Sequence, residues 1–144
     1  RHLSMDSINS SPCEIEDIFR FVIVLKTQEQ LIKKVITQIE KQVEVIAAFY
    51  HTDQETIFQE SALYKVKTQA LYQEKKVHTI IKNSHANIIT VSPDYFVIEK
   101  TGKREETEKL YSQLESFGIL QFVRSGRISV TKEPMKITEI LANT

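Results

Sequence analysis

The stretch YFVIEKTGKREETEKLYSQLESFGIL, residues 95–120, decides the fold. Tyr95 to Thr101 is a short β-branched and aromatic run around Phe96, Val97 and Ile98, which predicts a strand. Glu105 and Glu106 follow where carboxylates favour the positive end of a helix, and Leu110, Leu114 and Phe117 recur as that helix's buried stripe. Gly118 is placed to stop the helix in the left-handed conformation, and Ile119 to about Thr131 reads as one strand with a bulge at Gly126.

Upstream, Ser92, Pro93 and Asp94 are turn formers, so Ala86 to Val91 pairs with the 95–101 run as a hairpin. Before that hairpin, Val77, Ile80 and Ile81 mark a helix reaching about Ser84, with Thr68 as its expected cap. Phe58 to Lys67 alternates as a further strand. The order is β-α-β-β-α-β, the split βαβ or ferredoxin-like arrangement.

The first half carries an echo of the same design. Phe21, Val22, Ile23, Lys26 and Thr27 before one helix repeat Phe96, Val97, Ile98, Lys100 and Thr101 before the other. Ile18 to Leu25 reads as a strand, Thr27 with Gln30 as a capping box, and Leu31, Ile32, Val35, Ile36 and Ile39 as a helical stripe to about Lys41. Val43 to Tyr50 alternates with the two-residue period of a strand, and another strand is expected around Met5 to Ser11.

The expected class is therefore α+β, with two tandem ferredoxin-like βαββαβ modules, the first lacking its initial strand and helix. That first copy is expected to be truncated, with sheet edges that a partner, a register shift or disorder must cover. The polar segment His51 to Thr56 marks the boundary, giving residues 1–54, residues 55–132 and a tail at 133–144. Modules this small bury proportionally little surface, so side-by-side dimerisation is the economical arrangement.

Composition narrows the function. Nineteen Lys and Arg balance nineteen Asp and Glu among 144 residues, so no bulk charge recommends nucleic acid or an acidic membrane. No apolar run approaches the ~20 residues of a membrane helix, and no export signal is visible. The lone Cys13 excludes an intramolecular disulfide and a multi-cysteine metal site, and fits a reducing cytoplasm. Gly102, Gly118 and Gly126 are not spaced as a phosphate loop.

Few residues suggest chemistry. His78 and His85 have the spacing of one helix face, but no third ligand stands at i+3 or i+4, which favours solvent-facing or helix-end roles. Glu105, Glu106 and Glu108 read as a solvated flank. Arg124, Ser125, Gly126 and Arg127 are compatible with an anion nest, though a strand bulge with arginines in solvent is favoured. A small enzyme on this scaffold remains an open alternative, since fold does not fix function.

Several motifs then point one way. Val91-Ser92-Pro93, Glu99-Lys100-Thr101-Gly102, Phe117-Gly118-Ile119 and Val123-Arg124-Ser125-Gly126 resemble the V-x-P, T-G, F-G-I and R-(S/T)-G pattern of the acetolactate synthase small regulatory subunits. Gln59 to Val66 is similar to that family's R-E-L-x-L-x-K-V strand, with Gln59 in place of the Arg, and Leu3 to Ile8 is similar to F-N-I-E-S-L. The resemblance implies a non-catalytic ACT-domain subunit that dimerises, binds the thiamine-diphosphate-dependent catalytic subunit, raises its activity and transmits feedback inhibition by valine or a related amino acid. It implies no cofactor on this chain, with thiamine diphosphate, FAD and Mg carried by the catalytic partner. Among the family's effector contacts, the Asn position is Ser4 here and the preceding loop lies upstream of Arg1. By position Ser4, Met5, Asn9 and Ser11 fall nearest the implied effector pocket, with ordinary strand and interface packing as the alternative for each. A free-standing ACT-type amino-acid sensor is the rival reading.

Overall fold

A computed structural model describes residues 4–134 and 136–142, so Leu3 of the Leu3-to-Ile8 motif lies outside the described residues. The chain divides into two compact units, one of residues 1–58 with 127–144 and one of residues 59–126.

The second unit has the expected order of elements. Strand β3 (Thr56–Lys67), which begins in the first unit, is followed by helices α2 (Gln69–Gln73) and α3 (Lys75–Asn83). Strands β4 (Asn87–Val91) and β5 (Tyr95–Gly102), helix α4 (Arg104–Leu114) and strand β6 (Ile119–Arg124) complete it. The antiparallel order β4-β5-β3-β6 puts the first strand of the unit in the interior, the ferredoxin-like topology. Alternation along β3 turns Ala62, Tyr64 and Val66 inward to meet Phe96 and Ile98 of β5, Ala70 of α2, Val77 and Ile81 of α3, and Leu110 and Leu114 of α4.

Local expectations fail here in instructive ways. The helix after β3 is broken at Glu74, whose backbone is extended, and the Leu71 carbonyl lies 2.8 Å from the His78 ring nitrogen, which donates to it. Thr68 does not cap; its hydroxyl donates to the Ser92 carbonyl at 2.7 Å and ties the helix entry to the β4–β5 turn. The expected bulge at Gly126 is a break between β6 and a separate strand β7 (Ile128–Thr131), which pairs with β3. Gly118 does stop the preceding turn with φ 92°, and a Cβ there would stand 3.2 Å from the Lys67 side chain. Gly118→Ala is expected to lower stability by about 1 kcal/mol through left-handed strain, read as a fall of roughly 4–8 °C in the midpoint of thermal unfolding.

The first unit holds a hairpin of β1 (Ser4–Pro12) and β2 (Phe19–Lys26), then helix α1 (Glu29–Glu40). Strand β7 and helix α5 (Ile137–Ala142) also belong to it. Helix α1 starts after Gln28, one residue later than the capping-box reading requires. Thr27 therefore lies too far back to reach the first free amides, and its hydroxyl is buried without a hydrogen-bond partner. The expected strand at 43–50 is not formed; the segment has no ladder partner among the described residues, and Val43 is fully exposed. Alternation favours a strand only where a neighbouring edge can accept its amides and carbonyls. Every buried described residue belongs to residues 59–126, so the first unit rests on half-buried contacts alone.

Candidate functional site

The four residues expected near an effector all lie on β1. Ser4 pairs with Lys26, Met5 with Leu25, Asn9 with Val22 and Ser11 with Arg20. An extra residue, Asp6, interrupts the register between Met5 and Ser7, which pairs with Val24. Strand partners share a face, so Ser4, Asn9 and Ser11 stand together on the face of Val22 and Val24, and Met5 stands on the other. Asn9 is half-buried, while Ser4 and Ser11 are exposed.

The Met5 face is strongly apolar and open. Met5, Ile8, Phe19, Phe21 and Ile23 share it, with exposures between 40% and 64%. Contiguous apolar surface of this kind is uncommon on a free-standing protein and marks a place for a partner or ligand.

At the hairpin turn, the Cys13 thiol donates to Glu14 at 2.9 Å, and Arg20 pairs with the same carboxylate. The thiol's hydrogen bond, aided by the backbone and Arg20, holds the Glu14 carboxyl below its ordinary range. Cys13 thus takes a local structural role in this arrangement.

The strongest polar constellation lies in residues 59–126. Glu60 is buried at an inward position of β3, where it accepts the Thr107 hydroxyl at 2.8 Å. The Nε atoms of Arg104 and Arg124 stand 3.5 and 3.7 Å from its two oxygens. Arg124 also donates to Glu108 at 3.1 Å, and the buried Tyr64 hydroxyl donates to the Thr107 carbonyl at 2.6 Å. Burial, followed by the Glu60 charge, pushes the Tyr64 phenol well above its ordinary range, so it stays a neutral donor. Helix α4 is thereby fastened to strands β3 and β6 by charge as well as by apolar packing.

This cluster corrects the reading of Arg124 to Arg127. The arginines are engaged by carboxylates: Arg124 as above, and Arg127 with Asp53 at 2.6 Å while lying 3.9 Å over the Phe58 ring. Ser125 continues the β3 ladder, its hydroxyl accepting the Ser61 amide at 2.9 Å. An anion would have to displace these carboxylates, so the nest reading falls. Among the described residues no group of three or more His, Cys, Asp or Glu is placed to hold a metal ion.

A complete ferredoxin-like unit preceded by a hairpin and helix with a bare apolar face defines an α+β protein of tandem small modules. Similarity to known proteins makes the class specific. Residues 59–133 match the family described as the small subunit of acetolactate synthase. The chain is 29% identical to the acetolactate synthase small subunit of Mycobacterium bovis over 137 residues, covering 95% of this chain and 81% of that protein. It is 28% identical to the Bacillus subtilis small subunit over 127 residues, covering 88% and 73%. The crystal structure of the Thermotoga maritima acetolactate synthase small subunit superposes with a TM-score of 0.81 at 23% identity, covering 92% of this chain and 83% of that one. The chain belongs to the acetolactate synthase small-subunit family.

Proposed function

We propose that this chain is a regulatory, non-catalytic subunit that binds the thiamine-diphosphate-dependent catalytic subunit of acetolactate synthase. It raises that enzyme's activity and transmits feedback inhibition by valine or a related branched-chain amino acid. Beyond the family match, the observation that supports a partner is the open apolar face of Met5, Ile8, Phe19, Phe21 and Ile23. Thiamine diphosphate, FAD and Mg belong to the partner in this reading, and the complex works in the cytoplasm as a dimer of regulatory chains. Coupling requires that the effector prefer one arrangement of the regulatory dimer and that this arrangement alter the catalytic subunit.

The test is the acetolactate synthase rate of the cognate catalytic subunit, with and without this chain, across a valine titration. Stimulation reversed by valine is expected. Stimulation indifferent to every branched-chain amino acid overturns the feedback role, and no stimulation by folded protein overturns the subunit role in favour of the free-standing sensor.

In this reading Ser4, Asn9 and Ser11, which share one face of the hairpin, are the effector contacts, and Met5 on the opposite face is not one of them. Ser4→Asn restores the amide found at that place in the family's motif and is expected to tighten valine binding roughly 5- to 150-fold, the equivalent of ~1–3 kcal/mol for satisfying a charged ligand group. Calorimetry giving unchanged or weaker affinity overturns the assignment.

A further inference from the structure

Ser7 stands between Ser4 and Asn9 on β1 and pairs with Val24, so it shares the face of Ser4, Asn9 and Ser11. The Asp6 insertion is what places it there. Strict alternation from Ser4 would have put Asp6, Ile8 and Ser10 on that face, and the extra residue gives it three hydroxyls and an amide instead. The Ser7 hydroxyl accepts the backbone amide of Arg127 at 3.4 Å. The peptide just before β7 therefore borders the face that carries the assigned effector contacts.

That peptide is fixed by its own side chain. The Arg127 guanidinium donates to Asp53 at 2.6 Å and lies 3.9 Å over the Phe58 ring, which leaves the side chain 24% exposed. Asp53 opens a short 3-10 turn, Asp53–Glu55, and Glu55 locks it by accepting the Thr52 amide at 2.9 Å. Past the far end of β7, the Lys132 amide donates to the Glu55 carbonyl at 2.9 Å. All of these residues belong to the first unit, where no described residue is buried, so anchors of this kind have to hold the strands in place.

We propose that Arg127 is a positioning residue of the effector face, acting through Ser7 to aim a hydroxyl proton at a ligand carboxylate. The proposal rests on the effector reading above and extends it to two residues that reading leaves out. A hydroxyl has one proton and two lone pairs. The Arg127 amide occupies a lone pair, so the proton is left for another acceptor; a carboxylate takes it and an ammonium cannot. Arg127 does not itself bind the ligand, because Asp53 and Phe58 engage its guanidinium.

Calorimetry with valine, leucine and isoleucine, each against its amide, separates orientation from general loosening, because the amides lack the carboxylate. The unaltered chain is expected to bind one of the acids and to prefer it to its amide. Arg127→Gln and Ser7→Ala are each expected to weaken binding of that acid ~10-fold, the scale of one hydrogen bond to a charged group, and to leave the amide within about twofold. The two changes together are expected to be no weaker than Ser7→Ala alone, since both remove the same hydrogen bond. Acid and amide weakened in step mean that the first unit merely loosened, which overturns the proposal. Ser7→Ala removes a single oxygen and decides the matter where Arg127→Gln does not fold: an unchanged preference for the acid in that variant, or no preference in the unaltered chain, overturns the proposal while the effector reading stands. An unaltered chain that binds none of the ligands overturns the effector reading itself, and this proposal with it.

Discussion

Truncating Phe96 to alanine is expected to destabilise the 59–126 unit by about 3–5 kcal/mol, the usual cost of removing a buried aromatic ring. Phe96 is wholly inaccessible, pairs with Val66 on β3 and Val91 on β4, and belongs to the same cluster as Val77, Ile81, Leu110 and Leu114. The cavity cannot collapse easily, since its walls come from a sheet and helices that hydrogen bonds hold in place. A small α+β unit has a total stability of the same order, so the variant should lose most of its native population. Far-UV circular dichroism through a urea titration is the check; an unfolding midpoint within experimental error of the unaltered chain's would show that the ring is not structural.

Glu60→Ala is the second large effect, about 3 kcal/mol. It is placed at the lower end of the range for breaking a buried ion pair because Arg104 and Arg124 are 37% and 31% exposed and keep part of their hydration. The loss arises from what the carboxylate leaves behind. Thr107 loses the shorter of its two acceptors and keeps the Arg104 carbonyl, while Arg124 keeps Glu108 but both guanidinium groups lose the buried carboxylate between them. Replacing Glu60 and Arg124 together by leucine should therefore cost less than the sum of the two single changes, a non-additivity that a double-mutant cycle measures. Strict additivity would mean that the pair is not coupled.

The legibility of these features in the sequence differs from element to element. Residues 56–124 were readable because strand alternation, helical stripes, the Ser92-Pro93-Asp94 turn and the Gly118 stop all agree with the packed sheet. Glu60 was readable in principle: Ala62, Tyr64 and Val66 set the inward parity of β3, and a carboxylate two residues earlier on that parity demands a partner. Arg104 and Arg124 lie 44 and 64 positions away, so no local pattern could name them. The segment at 43–50 failed for the opposite reason, because its period matches a strand and a strand is a relation between two segments. Thr27 and Thr68 both sit where a cap belongs, yet each helix starts where tertiary contacts set it, one residue past the cap at Thr27 and with Thr68 turned to Ser92. On β1, the Asp6 insertion that separates Met5 from Asn9 and Ser11 leaves no mark in the sequence at all.

The β1–β2 hairpin also bears on how the chain fares in a cell before it finds company. Among the described residues β2 pairs with β1, and its sequence FRFVIVLK displays Phe19, Phe21 and Ile23 at its surface. A proline-free, β-branched and aromatic stretch of eight residues of this sort is the stuff of cross-β stacking, with Arg20 and Lys26 as the charges that interrupt it. Left exposed in a partly folded chain, β2 is a segment prone to aggregation, with Arg20 and Lys26 as its gatekeepers.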